Sequence, residues 1–111
     1  MPTTFGPADL TTTRQAGVTH TMLANRALLG TDALQVEQIT LEPGARTRPA
    51  QVSTSEHFVY VIRGAGHAYV GHDTFPLESE SVLWLEPGDL FSLEAGADAL
   101  AVLLCRAPAP A

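Results

Sequence analysis

The chain has 111 residues, enough for one domain with a single core, since a chain of this size buries roughly 65% of its unfolded surface. Its formal net charge is -6, and its cations are six arginines, Arg14, Arg26, Arg46, Arg48, Arg63 and Arg106. They are scattered, so no basic stripe tracks a phosphate backbone and nucleic-acid binding is disfavoured.

Residues 1–15 are polar and Thr-rich, fitting either a disordered arm or an extra docked strand, and Met1 to Leu10 lacks the basic and apolar blocks of a signal peptide. Beyond them the chain reads as short apolar runs separated by turn residues. Strands are expected over 18–24, 34–42, 49–53, 57–63, 66–71, 81–86, 90–95 and 99–106. The punctuation between them includes Pro43-Gly44, Arg63 to Gly66, Gly71 to Asp73, Pro87-Gly88 and Gly96 to Asp98. No segment sustains a helical apolar stripe. Many short strands with Gly/Pro turns imply an all-β sandwich or barrel. The tail 107–111 lacks donors and apolar bulk and is expected to fray.

Strand 57–63 is the most informative. Side chains alternate across a strand, so His57, Val59 and Val61 share one face while Phe58, Tyr60 and Ile62 share the other. Both faces are apolar, so both are expected to be covered, one by a barrel interior and one by a neighbour or subunit. The single cysteine, Cys105, lies in an apolar run and reads as a small buried hydrophobe. No run approaches the ~18 apolar residues of a membrane span, and the expected location is the cytoplasm.

The glycine and proline spacing resembles the two signature motifs of the small cupins. Gly44 is followed by Ala50, Val52, His57 and Gly64, then Glu80 by Glu86, Gly88 and Phe91. In that family these positions read Gly-x5-His-x-His-x4-Glu-x6-Gly and Gly-x5-Pro-x-Gly-x2-His. The resemblance covers about residues 33–107 and includes Ile39 to Gly44, Tyr60 to Gly66 and Val82 to Gly88. It implies a double-stranded β-helix, or jelly-roll barrel, forming a single cupin domain over 1–111 with its core at about 18–106. It also implies a homodimer, often with exchanged N-terminal strands. A second register of the later motif, starting at Gly88, would put Ala99 at the last His position.

In the family two His, a Glu and a third His hold one divalent metal. Here Ala50, Val52 and Phe91 carry no donor atom, and only His57 could coordinate. A transition-metal site needs three or four protein ligands, so neither metal nor other cofactor is expected. Glu80 and Glu86 replace a usual Gly and Pro at turn positions.

The candidate site is therefore the set of positions aimed at the barrel interior: Ala50, Val52, His57, Val59, Trp84 and Phe91. His57 is either an acid–base or ligand-orienting group or a buried histidine bonded to a neighbour such as Gln51, Ser53 or Ser55. Glu56 points to the opposite face. His20, His67, Tyr69 and His72 read as surface groups, and Arg46 and Arg48 as solvated turn charges at a barrel rim. The expected function is a metal-free cupin that binds a small, largely apolar organic molecule. The alternatives are a metal-independent isomerase, epimerase or lyase using His57, with Tyr60 or Tyr69 as acid, and a metalloenzyme such as a dioxygenase or isomerase with a displaced site. A barrel packed solid, with a structural or regulatory role, is the remaining possibility.

Overall fold

A computed structural model describes residues 4–52 and 54–108. Among the described residues ten strands form two sheets. They are β1 (Thr11–Gln15), β2 (Val18–Ala24), β3 (Gln35–Leu41), β4 (Ala50–Gln51), β5 (Glu56–Arg63), β6 (Gly66–Val70), β7 (Asp73–Leu77), β8 (Val82–Leu85), β9 (Leu90–Ala95) and β10 (Leu100–Ala107). One sheet has the order β1-β2-β3-β10-β5-β8 and the other β4-β9-β6-β7. Their inner faces meet in one apolar core that includes Leu41, Val59, Val61, Leu93, Val102 and Leu104. This all-β architecture is the barrel that the strand pattern implies and the jelly roll that the cupin resemblance implies.

Alternation selects the core residues. In β5 every second side chain, His57, Val59 and Val61, is buried. In β10 the same holds for Leu100, Val102 and Leu104. Strand β10 pairs on both edges, with β3 and with β5, and so lies at the centre of its sheet.

The segment before residue 18 is a strand in its own right. β1 pairs antiparallel with β2 of the same chain, Thr13 opposite His20. Strand β7 was not anticipated. Pro76 interrupts its run, and a proline fits only where its missing N–H is not needed; β7 is accordingly the edge of its sheet. β4 is shorter than the expected 49–53. At the C-terminus β10 carries regular pairing to Ala107, opposite Glu56, so the expected fraying does not begin there; residues 109–111 lie outside the described residues. A single helical turn, α1 (Arg26–Leu29), links β2 to β3 and is capped by the Asn25 side chain, which accepts from the Leu28 N–H at 3.0 Å.

Two turn positions explain the motif spacing. At Gly64, where β5 turns into β6, φ is +92° and a Cβ would collide with the Ala99 carbonyl oxygen. Only glycine meets both demands. Glu80 holds φ +70°, the left-handed region that costs a side-chain-bearing residue about 1–2 kcal/mol; the cupin pattern has glycine at this place. Its backbone is nevertheless fixed, because its N–H donates to the Val61 carbonyl at 2.8 Å. Gly64→Ala is expected to destabilise the fold by more than about 2 kcal/mol, while Glu80→Gly should leave stability equal or raise it by up to about 1 kcal/mol. Urea denaturation of the two variants, with unchanged m-values, measures both.

Candidate functional site

Register places four polar side chains on the inner face of four neighbouring strands. His57 of β5 is opposite Arg106 of β10. Leu104, on the same face as Arg106, is opposite Glu37 of β3. Ile39, on the same face as Glu37, is opposite His20 of β2. The result is a diagonal row, His57–Arg106–Glu37–His20, at the end of the barrel where β5 begins and β10 finishes.

The row is linked by contacts. The Arg106 Nε–H donates to His57 Nε2 at 3.1 Å. Arg106 Nη2 lies 3.9 Å from Glu37 Oε1, and His20 Nδ1 lies 3.3 Å from the same oxygen. His57 is buried. Burial and, next, the positive charge of Arg106 push its pKa below the usual imidazole value of 6.5; the backbone of Glu56 and Ser55 acts weakly the other way. Since Nε2 accepts, the proton of the neutral ring sits on Nδ1, and this buried atom has no hydrogen-bond partner among the described residues. The His57 ring also meets Phe91 edge-on, with centroids 6.0 Å apart.

Above this row opens a cleft of about 70 Å³. Buried Ile39, Phe91, Leu93 and Leu104 line it, with Ala50 at its edge. Its polar lining is His20, Glu37, Thr47, Arg48 and Arg106. An open groove of about 540 Å³ between the β1–β2 hairpin and residues 46–48 adjoins it, sharing His20, Thr47 and Arg48.

Four of the sequence-derived site positions, Val52, His57, Val59 and Phe91, are buried inside the barrel. Ala50 is exposed but lines the cleft. Trp84 lines neither the cleft nor the groove. Leu85 is opposite His57 and faces inward, so Trp84, opposite Phe58, faces outward and is 55% exposed. The Gln51 and Ser55 side chains do not bond His57, the Ser55 hydroxyl donating instead to the Pro108 carbonyl, and Ser53 lies outside the described residues; the side-chain partner is Arg106. His20 keeps 38% of its side chain exposed and also belongs to the inner row. Arg46 is not free in solvent either. It donates to Ser92 Oγ through Nε at 3.2 Å and Nη2 at 3.0 Å, and its guanidinium lies 4.2 Å from the Tyr69 ring centroid.

Arg106, Glu37 and His20 were missed, although alternation could have found them. Each falls two residues from an inward apolar position, Leu104, Ile39 and Val18 respectively.

Neither tyrosine faces His57. Tyr60 lies on the outer side of β5, opposite Val82. Tyr69 is on the outer side of the second sheet, where its O–H donates to Glu94 at 2.7 Å and its pKa is raised by that bond. Burial also raises the Cys105 thiol, which disfavours a thiolate nucleophile.

The metal of the cupin pattern does not fit these residues. Ala50, Val52 and Phe91 offer no donor atom. The free lone pair of the neutral His57 ring already accepts from a guanidinium, and a metal ion there would meet a like charge. Among the described residues no group of three or more His, Cys, Asp or Glu side chains is arranged to hold a metal ion.

These features define a cupin barrel whose open end forms a small cleft. A family model described as AraC-like ligand binding domain matches residues 38–106, and the chain belongs to that family. Similar solved structures include KdgF from Halomonas sp., at 15% identity and a TM-score of 0.82 over 99% of this chain and 96% of that one. A predicted oxalate decarboxylase from Thermotoga maritima aligns at 17% identity and 0.80, covering 91% and 95%. An RmlC-like cupin from Shewanella frigidimarina aligns at 17% and 0.77, covering 96% and 90%. At these identities the likeness is one of fold. No curated protein matches the chain.

The lowered pKa of His57 has a signed consequence. The unfolded chain takes up this proton at higher pH than the folded one. The stability due to neutral His57 is thus fully present above about pH 6.5 and is lost as pH falls from there through the folded value. The difference in unfolding free energy between the wild type and His57→Gln, which keeps an acceptor for Arg106 but does not titrate, should shrink in the wild type's disfavour as pH falls from 7 to 5. Paired denaturation curves at those pH values check it.

Proposed function

We propose that this protein is a ligand-binding cupin that takes a small organic molecule into the barrel mouth, with no metal as intermediary. The observation that carries the reading is the join between cleft and groove. The cleft alone holds only a group of a few heavy atoms, but the adjoining groove of about 540 Å³ brings the site into the range of small-molecule pockets, about 300–1,000 Å³. The lining supports an amphipathic guest. Its apolar part rests on Ile39, Phe91, Leu93 and Leu104, and its polar part meets Arg106, Glu37 and His20 of the inner row together with Arg48.

This amends the expectation of a largely apolar molecule, because side chains beyond the cupin-motif positions bring charge to the site. The family description, AraC-like ligand binding domain, supports small-molecule binding without naming a ligand. An isomerase using His57 with a tyrosine acid draws no support, since Tyr60 and Tyr69 face away. For a displaced metal centre the inner row offers His20 and Glu37 beside each other, next to a guanidinium, and no group of three donors is found among the described residues.

Pairing with a second copy belongs to the same proposal. The outer face of the six-stranded sheet carries Val82 and Trp84, 54% and 55% exposed, beside half-buried Phe58 and Tyr60. A copy seated there would cover apolar surface and leave the cleft open, because the cleft lies on the inner side of that sheet.

A ligand present at 100 times its Kd raises the unfolding free energy by about 2.7 kcal/mol. Screening a library of small organic acids, alcohols, amides and sugars by thermal unfolding should return compounds that raise Tm. Ala50→Phe, which fills the cleft edge, should abolish that rise while leaving the unliganded Tm nearly unchanged. A library with no stabilising member, or hits indifferent to Ala50→Phe, would contradict the reading.

A further inference from the structure

We propose that Arg106 is the barrel's resident cation, standing in for the cupin metal, and that the cleft selects a small monocarboxylate. The ligand's carboxylate would meet Arg106 and Arg48, and its short apolar part Ile39, Leu93, Leu104 and Phe91. This rests on the reading that the cleft is a ligand site, and goes beyond it by naming the ligand class.

The first support is the state of the arginines. A guanidinium carries five N–H donors in a planar fork suited to carboxylates. Arg106 uses Nε on His57. Its closest approach to Glu37 is 3.9 Å, beyond a hydrogen bond, so its terminal nitrogens keep donors for a guest. Arg48 lines both the cleft and the groove and makes no ion pair or side-chain hydrogen bond among the described residues. Its neighbours are engaged: Arg14 pairs with Glu42, and Arg46 is bonded to Ser92.

The second support is charge. Two guanidiniums against the one Glu37 carboxylate leave one positive charge uncompensated at the cleft. One added negative charge balances it, whereas a dicarboxylate or phosphate dianion would overcompensate beside Glu37. The third is size at the charged end of the site. A water needs about 10–15 Å³ of such space, so the 70 Å³ cleft takes the carboxylate and a handful of carbons, and a longer chain continues into the groove.

His57 is a positioning residue in this scheme. Its Nε2 accepts the Arg106 Nε–H, which fixes the plane of the guanidinium and turns the terminal nitrogens toward the opening. The position that serves a metal in the family here aims an organic cation.

The test uses the full-length, isotope-labelled protein in NMR titrations with acetate, propionate, isobutyrate and isovalerate, each beside its neutral amide. Binding of at least one carboxylate at least tenfold tighter than its amide is expected, with shifts centred on Leu93, Leu104 and the Arg106 Nε–H, and unchanged by a metal chelator. Arg106→Gln and Arg48→Gln should each weaken it about tenfold or more. Arg63→Gln, which removes the same charge from the turn at the other end of β5, should not. If Arg106→Gln does not fold, the contrast between positions 48 and 63 decides. Amides binding as well as acids, or Arg48→Gln behaving like Arg63→Gln, overturns the monocarboxylate assignment and leaves the ligand site standing. Failure of every acid and every neutral compound overturns both.

Discussion

Strand β10 is hydrogen-bonded along both edges, and its register fixes the inside of this barrel. Leu100, Val102 and Leu104 are fully buried and hold the strand in phase with β3 and β5. A slip of one residue would turn all three to solvent, so the phase is strongly specified. The same phase carries Arg106 inward at the strand's open end and sets it opposite His57. The apolar half of the strand thus determines the position of the charged residue at its end.

An arginine facing a barrel interior is costly unless its donors are met, since the effective penalty for desolvating an ion is several kcal/mol. Here the cost is limited in two ways. The Arg106 side chain keeps 19% of its surface in contact with solvent, and it has a neutral acceptor and a nearby carboxylate. His57 fits the acceptor role because burial and the adjacent positive charge both keep it unprotonated. The two groups therefore reinforce each other: the cation keeps the imidazole neutral, and the neutral imidazole orients the cation. A metal would need the same lone pair, so the arrangement commits this end of the barrel to a different chemistry.

Much of the fold was legible in the residues. The glycine at 64, with its required φ and its contact with the Ala99 carbonyl, marks a turn that nothing else could form, and alternation in 57–63 gave the buried face of β5 correctly. Strand β7 escaped because Pro76 reads as a break when it marks an edge. Trp84 was placed inward by its size, although its phase relative to Leu85 decides the matter. The site was legible only in part. Motif positions pointed to Val52, His57 and Phe91, which lie together in the interior. They could not point to Arg106, Glu37 or His20, which enter from strands outside the motif and meet His57 only through pairings distant in sequence. A partner 49 residues away is a property of the sheet order and leaves no local signal.

His57 accepts a hydrogen bond from Arg106 through Nε2, and the arrangement of the barrel's open end depends on it. The tautomer of the neutral ring reports this most directly, and two-bond proton–nitrogen correlation spectra of labelled protein at pH 7.5 resolve it. The account predicts the Nδ1–H form with an unprotonated, bonded Nε2, unchanged on adding zinc. A ring protonated on Nε2, or a nitrogen shift that moves on metal addition, would contradict it.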